Sequence, residues 1–228
     1  MDELLTDQQQ AEVVKSWLRE NGPWLVAGVV LGAGGLFGWF QWQEYRARSA
    51  EQASALFDEF RREAAGGAAD GAEARLKELA GAHGDSGYTD QARLIMARLY
   101  LDRNDPNKAA EYLRQVATGA GDAEIRYLAT LRYARLLVFQ EKAGDALEVL
   151  AVTVPPAWAP NFHAVRGDAY FALGKTAEAR SEYEQALKPE ATPGIDRGYV
   201  QAKLDDLGGP TTAPAAPPAP APAPAPAP

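Results

Sequence analysis

Residues 167–187 read GDAYFALGKTAEARSEYEQAL, and the spacing of small and aromatic residues in this stretch decides the architecture. Gly167 and Ala179 are small enough for two helices to cross closely. Tyr170 and Tyr183 are large enough to fill the space between successive helix pairs, and Gly174 sits where the first helix must end. The same offsets recur upstream at Ala134, Leu137, Ala146 and Leu150, and again at Ala97, Tyr100, Ala109 and Leu113. Ala97 to Ala134 is a step of 37 residues and Ala134 to Gly167 a step of 33. One helix–turn–helix unit is therefore repeated, although Ala-rich helices of a generic bundle also supply such matches.

On either side of this stretch, residues 47–207 are helical in pattern: apolar residues recur at three and four, and alternating β-type runs are nearly absent. Breaks are expected at Gly66-Gly67, Gly81 to Gly87, Asn104-Asp105-Pro106, Gly119 to Asp122, Ala143-Gly144, Pro155-Pro156, Gly174 and Pro189 to Gly194. They cut the region into helices of roughly 12 to 20 residues, and short connections favour antiparallel pairs. Residues 53–63 and 72–79 form a further, degraded pair that caps the stack. The last unit resembles a tetratricopeptide repeat well, and the two earlier ones loosely, since they lack the glycine. The expected fold is all-α, a tetratricopeptide-like α-solenoid of stacked antiparallel helix pairs behind one N-terminal transmembrane helix. The repeat-packing residues are Ala97, Tyr100, Ala109, Ala134, Ala146, Gly167, Tyr170, Ala179 and Tyr183.

The transmembrane assignment rests on the N-terminal region. No charge occurs between Glu20 and Glu44, and residues 24–40 read WLVAGVVLGAGGLFGWF. At about 1.5 Å per residue such a helix crosses the ~30 Å hydrocarbon core once. Trp24 at one end and Trp39 and Trp42 at the other mark the two interfaces. A buried globular helix is the first alternative. A cleaved signal peptide is the second, but the apolar run is too long for an h-region and the leader before it is acidic. Gly28, Gly32 and Gly35 share one helix face and suit close approach of a second helix in lipid, or are simply tolerated there. Orientation is not set by charge. Arg46, Arg48, Arg61 and Arg62 after the span outnumber Lys15 and Arg19 before it, which favours a cytoplasmic C-terminal side, but long domains translocate regardless.

Composition narrows the function. With 31 acidic and 23 basic residues the net charge is -8, so nucleic acid is not an expected partner. There is no Cys, and the two histidines, His83 and His163, lie far apart in sequence. No catalytic, cofactor-binding or metal-binding residues are expected. Asp58, Glu59, Glu63, Glu73 and Glu78 stand beside Arg and Lys at helical spacings and read as a solvated face. Arg166-Gly167-Asp168 reads as structural because its glycine holds the close-packing position. Trp158 anchors the helix that follows it or contacts a partner. The alternating Ala and Pro after residue 213 favour extended polyproline II. Stacked helix pairs recognise proteins rather than break bonds, here through an acidic concave surface.

Glu20-Asn21-Gly22, Gly28-Val29-Val30-Leu31-Gly32 and Gly38-Trp39, followed in order by Leu131-Arg132-Tyr133-Ala134-Arg135, Arg166-Gly167-Asp168-Ala169 and Ala179-Arg180-Ser181, resemble the YfgM-like ancillary SecYEG translocon subunits of Gram-negative bacteria. The resemblance covers about residues 10–207 and carries no catalytic residues. It implies a cytoplasmic N-terminal segment (1–20), an inner-membrane helix (21–43) in membrane lipid, a periplasmic repeat domain (44–208) and an Ala/Pro tail (209–228). It also implies as partners the SecYEG translocon, a membrane-anchored periplasmic prolyl-isomerase-type chaperone and exported polypeptides. A scaffold for another envelope-assembly or cell-division complex is the alternative.

Overall fold

The computed structural model describes residues 7–188 and 195–208. Among these the regular elements are nine helices: α1 (Asp7–Ala65), α2 (Ala69–His83), α3 (Gly87–Asp102), α4 (Pro106–Gly119), α5 (Ala123–Phe139), α6 (Ala143–Val149), α7 (Ala159–Ala172), α8 (Thr176–Ala186) and α9 (Arg197–Asp206). The chain divides into two compact units, residues 1–56 and residues 57–228. The Ala/Pro tail and the Pro189–Gly194 break lie outside the described residues.

In the first unit, every side chain from Pro23 to Arg48 is exposed. Trp24 is 80% and Leu31 76% exposed, so this apolar run is not the buried core helix of a globular domain. Helix α1 contains a stretch long and apolar enough to cross a membrane. Trp39 and Trp42 pack at 5.2 Å, and the Arg46 guanidinium lies 4.8 Å from the Trp42 ring. An indole pair with a cation beside it suits the water-facing end of a span. Helix α1 does not stop after the apolar run, because neither Gly nor Pro occurs from Glu44 to Ala65.

In the second unit, α3/α4, α5/α6 and α7/α8 are antiparallel pairs, α2 packs on α3, and α9 packs on α8. The turns that follow α1, α3, α5 and α7 have one geometry. Gly67, Asn104, Glu141 and Gly174 all have positive φ, at 70°, 58°, 62° and 71°. Each amide donates to the carbonyl three residues back: to Ala64 at 3.0 Å, Leu101 at 2.9 Å, Val138 at 3.0 Å and Phe171 at 2.9 Å. The next amide reaches five back, to Glu63, Tyr100, Leu137 and Tyr170. This satisfies the last carbonyls of the helix in a left-handed cap that favours glycine. The units that lack the glycine therefore keep its backbone role in Asn104 and Glu141.

The opposite connections are closed by arginines reaching back from the following helix. Arg126 donates to the Ala120 carbonyl at 2.6 Å and Arg166 to that of Leu150 at 2.8 Å, while Arg197 donates to that of Leu187. Cations there also complement the negative helix end. One expected break is displaced: the turn falls at Gln140-Glu141-Lys142, with Ala143 and Gly144 already in α6. Helix α6 has only seven residues, shorter than expected, because Val152-Thr153-Val154-Pro155-Pro156 cannot prolong it.

One buried cluster joins α5, α6 and α7 through Leu131, Ala134, Leu137, Leu150, Phe162 and Val165. Trp158 packs against it, 5.6 Å from Tyr127, which in turn meets Phe162 edge-on at 6.2 Å. A second cluster joins α8 and α9 through Tyr183, Ala186 and Val200.

Candidate functional site

The repeat-packing residues lie inside the stack. A Cβ at Gly167 would stand 2.3 Å from Tyr183 Cε1, so the tyrosine ring lies directly on the α7 backbone. Tyr183 Oη donates to Asp168 Oδ1 at 2.8 Å, and Lys203 Nζ donates to the same oxygen at 2.5 Å. Burial, and then the Asp168 carboxylate, push the Tyr183 hydroxyl far above the usual phenol range. Arg166, Gly167 and Asp168 are thus committed to a helix end, a ring contact and the tie to α9. Ala97, Ala109, Ala134, Ala146 and Ala179 are buried. Tyr170 is half-buried against the α8–α9 cluster. In the first unit a Cβ on Gly28, Gly32 or Gly35 would meet nothing within 4 Å, and this face is open.

Glu73 departs from the expected solvated face. It accepts from Tyr100 Oη at 2.8 Å and from Tyr112 Oη at 3.1 Å, with Lys108 Nζ 3.8 Å away. Tyr100 and Tyr112 stack at 5.8 Å. The Tyr100 hydrogen bond holds the Glu73 carboxyl below its ordinary range, with further lowering from Tyr112 and Lys108 against the opposing cost of burial. One carboxylate therefore joins α2, α3 and α4. Helical spacing alone shows Lys77 beside it, whereas its tyrosine partners lie 27 and 39 residues away.

Among the described residues no group of His, Cys, Asp and Glu is placed to hold a metal ion. His163 Nδ1 lies 2.7 Å from Glu182 Oε2, a contact between α7 and α8. His83 ends α2, and its carbonyl accepts from Thr89 Oγ1.

What the stack offers a ligand is a run of adjoining clefts. The first, of about 560 Å³, has an apolar floor that includes Leu94, Leu101, Leu113 and Leu136, rimmed by Arg98, Arg132 and Arg135. Arg135 also lines a second cleft of about 410 Å³ between α5, α7 and α9, with Asn161, Asp168, Tyr199 and Lys203. The first cleft has no carboxylate in its lining, whereas Asp168 and Asp196 line the second. The acidic excess of the whole chain concealed this, because composition does not say which face a charge occupies. The signal was Arg132-x-x-Arg135 on one face of α5, two cations one helical turn apart.

Residues 15–209 match the tetratricopeptide repeat-like domain family. An Escherichia coli K12 protein named ancillary SecYEG translocon subunit is 31% identical over 201 residues, 88% of this chain and 96% of that protein. A Neisseria gonorrhoeae protein of the same name is 30% identical over 204 residues, 89% and 98% of the two chains. A Haemophilus influenzae protein, again so named, is 24% identical over 203 residues, with the same two shares.

Proposed function

Because this chain belongs to the tetratricopeptide repeat-like family of the ancillary SecYEG translocon subunits, we propose that it is a membrane-anchored scaffold working beside that channel. Residues 21–43 hold it in the inner membrane with residues 1–20 in the cytoplasm. The repeat domain, residues 44–208, stands in the periplasm. There it docks a membrane-anchored prolyl-isomerase-type chaperone and polypeptides leaving the channel, and contributes no bond chemistry.

The observation that carries this reading is the similarity to relatives of that name through both the apolar helix and the repeats. The open strip of Gly28, Gly32 and Gly35 supports lateral packing in lipid, where small residues let two helix backbones approach. The test is co-purification of the full chain with SecYEG from solubilised inner membranes, with and without Gly28→Leu/Gly32→Leu. The unaltered chain should be retained on the channel and the double variant largely lost. No retention of the unaltered chain would refute the association, and equal retention of the variant would refute the packing role of the strip.

A further inference from the structure

We infer that the Arg98, Arg132 and Arg135 cleft docks an extended polypeptide segment in which carboxylates alternate with apolar side chains. This deepens the reading of the repeat domain as a docking platform and rests on it.

Most arginines of the second unit are already engaged. Arg103, Arg126, Arg166 and Arg180 donate to backbone carbonyls, and Arg75 and Arg93 to carboxylates. Arg132 and Arg135 are exposed and have neither a hydrogen bond nor an ion pair among the described residues. They stand one turn apart on α5, with Cβ atoms roughly 5–6 Å from each other. Arg98 faces them from α3, steadied by Asp102 at 2.8 Å. Beyond Ile95 the same lining continues into a cleft with Arg61 and Arg62 beside Asp58. A chain of net charge -8 thus gathers cations along one path.

Two features select the occupant. Guanidinium groups with free donors match carboxylates in bidentate geometry. The floor between them is leucine and isoleucine, which a phosphate backbone or a lipid headgroup leaves unused but apolar side chains cover. In an extended segment successive side chains point to opposite sides and those two residues apart are roughly 7 Å from each other, so a segment laid edge-on between α3 and α5 sets its carboxylates against Arg132 and Arg135 and its apolar side chains against Leu94, Ile95 and Leu101.

The test uses the full chain in phosphatidylcholine nanodiscs and fluorescence anisotropy. The probes are two labelled peptides of equal length, one alternating leucine with aspartate and one alternating leucine with lysine. The aspartate peptide should bind at least about tenfold more tightly, and more weakly as salt rises. Arg132→Glu/Arg135→Glu should reverse the preference, Arg132→Gln/Arg135→Gln should remove it, and Arg114→Glu, on α4 outside the cleft, should leave it unchanged. Circular dichroism melts check that the variants fold. Equal binding of the two peptides, or binding that survives the double reversal, overturns the inference. Loss of peptide binding when phosphatidylglycerol enters the nanodisc also overturns it, since the cations then face lipid. Co-purification with SecYEG is read separately. Its failure removes the translocon reading and leaves the peptide preference standing, whereas a failed peptide preference with intact co-purification removes only this inference.

Discussion

Gly167→Ala changes sign depending on what faces it, and this makes the Gly167–Tyr183 contact measurable. In an open helix interior, replacing glycine by alanine stabilises by about 1 kcal/mol. Here the new Cβ would lie 2.3 Å from Tyr183 Cε1 and 2.5 Å from Cδ1. The ring has nowhere to retreat, being 2% exposed and held through its hydroxyl by Asp168. Overpacking of this kind costs about 1–3 kcal/mol, often more than the propensity gain. For a unit of this size a net loss of about 1–2 kcal/mol lowers Tm by about 2–8 °C. The other two repeats supply the control, since Ala134 and Ala97 share their register with Leu150 and Leu113 rather than with tyrosine. In a Tyr183→Leu background the same Gly167→Ala change should therefore raise Tm by about 2–4 °C relative to Tyr183→Leu alone. The assay is circular dichroism melting of the full chain in detergent. A stabilising Gly167→Ala in the unaltered protein, or the same shift in both backgrounds, would refute the packing argument.

Glu141→Gly should stabilise by about 0.5–1 kcal/mol, because a left-handed residue with a Cβ carries strain that exceeds the added freedom of glycine when unfolded; Gly174→Ala should destabilise by about 1 kcal/mol, both read in denaturant melts. Asp168→Ala removes the acceptor of Tyr183 and Lys203 and should cost about 1.5–3 kcal/mol, with faster amide exchange in α9 as the local signature. Glu73 has a carboxyl pKa held below its unfolded value, so its contribution is full above the unfolded value and lost as pH falls through the folded one. Acid melts of Glu73→Gln should accordingly lose less stability between neutral pH and pH about 3 than the unaltered chain does.

The helix pairs were legible because small and large residues recur at fixed offsets, and Gly174 marked one turn. Asn104 and Glu141 were not read as its equivalents. Their left-handed conformation is imposed by the packing of the pair, against the ordinary preference of a glutamate. The Gly66-Gly67 break was visible for the same reason Gly174 was, and Lys142 hid the third turn by placing it before, not at, Ala143-Gly144. Glu73 was misread because its tyrosines come from α3 and α4, beyond any window of helical spacing. The cleft arginines were visible as residues but not as a site: only the folded stack brings Arg98 of α3 against Arg132 and Arg135 of α5. Trp158 was readable as an anchor or a contact, and its packing on Tyr127 favours the anchor.

The most direct test of the account is alkaline carbonate extraction of membrane vesicles carrying the full chain, followed by detection with an antibody against the repeat domain. A helix whose apolar side chains are exposed from Trp24 to Phe40 must stay in lipid once peripheral contacts are stripped. The account predicts full-length protein in the membrane pellet. Full-length protein released to the supernatant would contradict it.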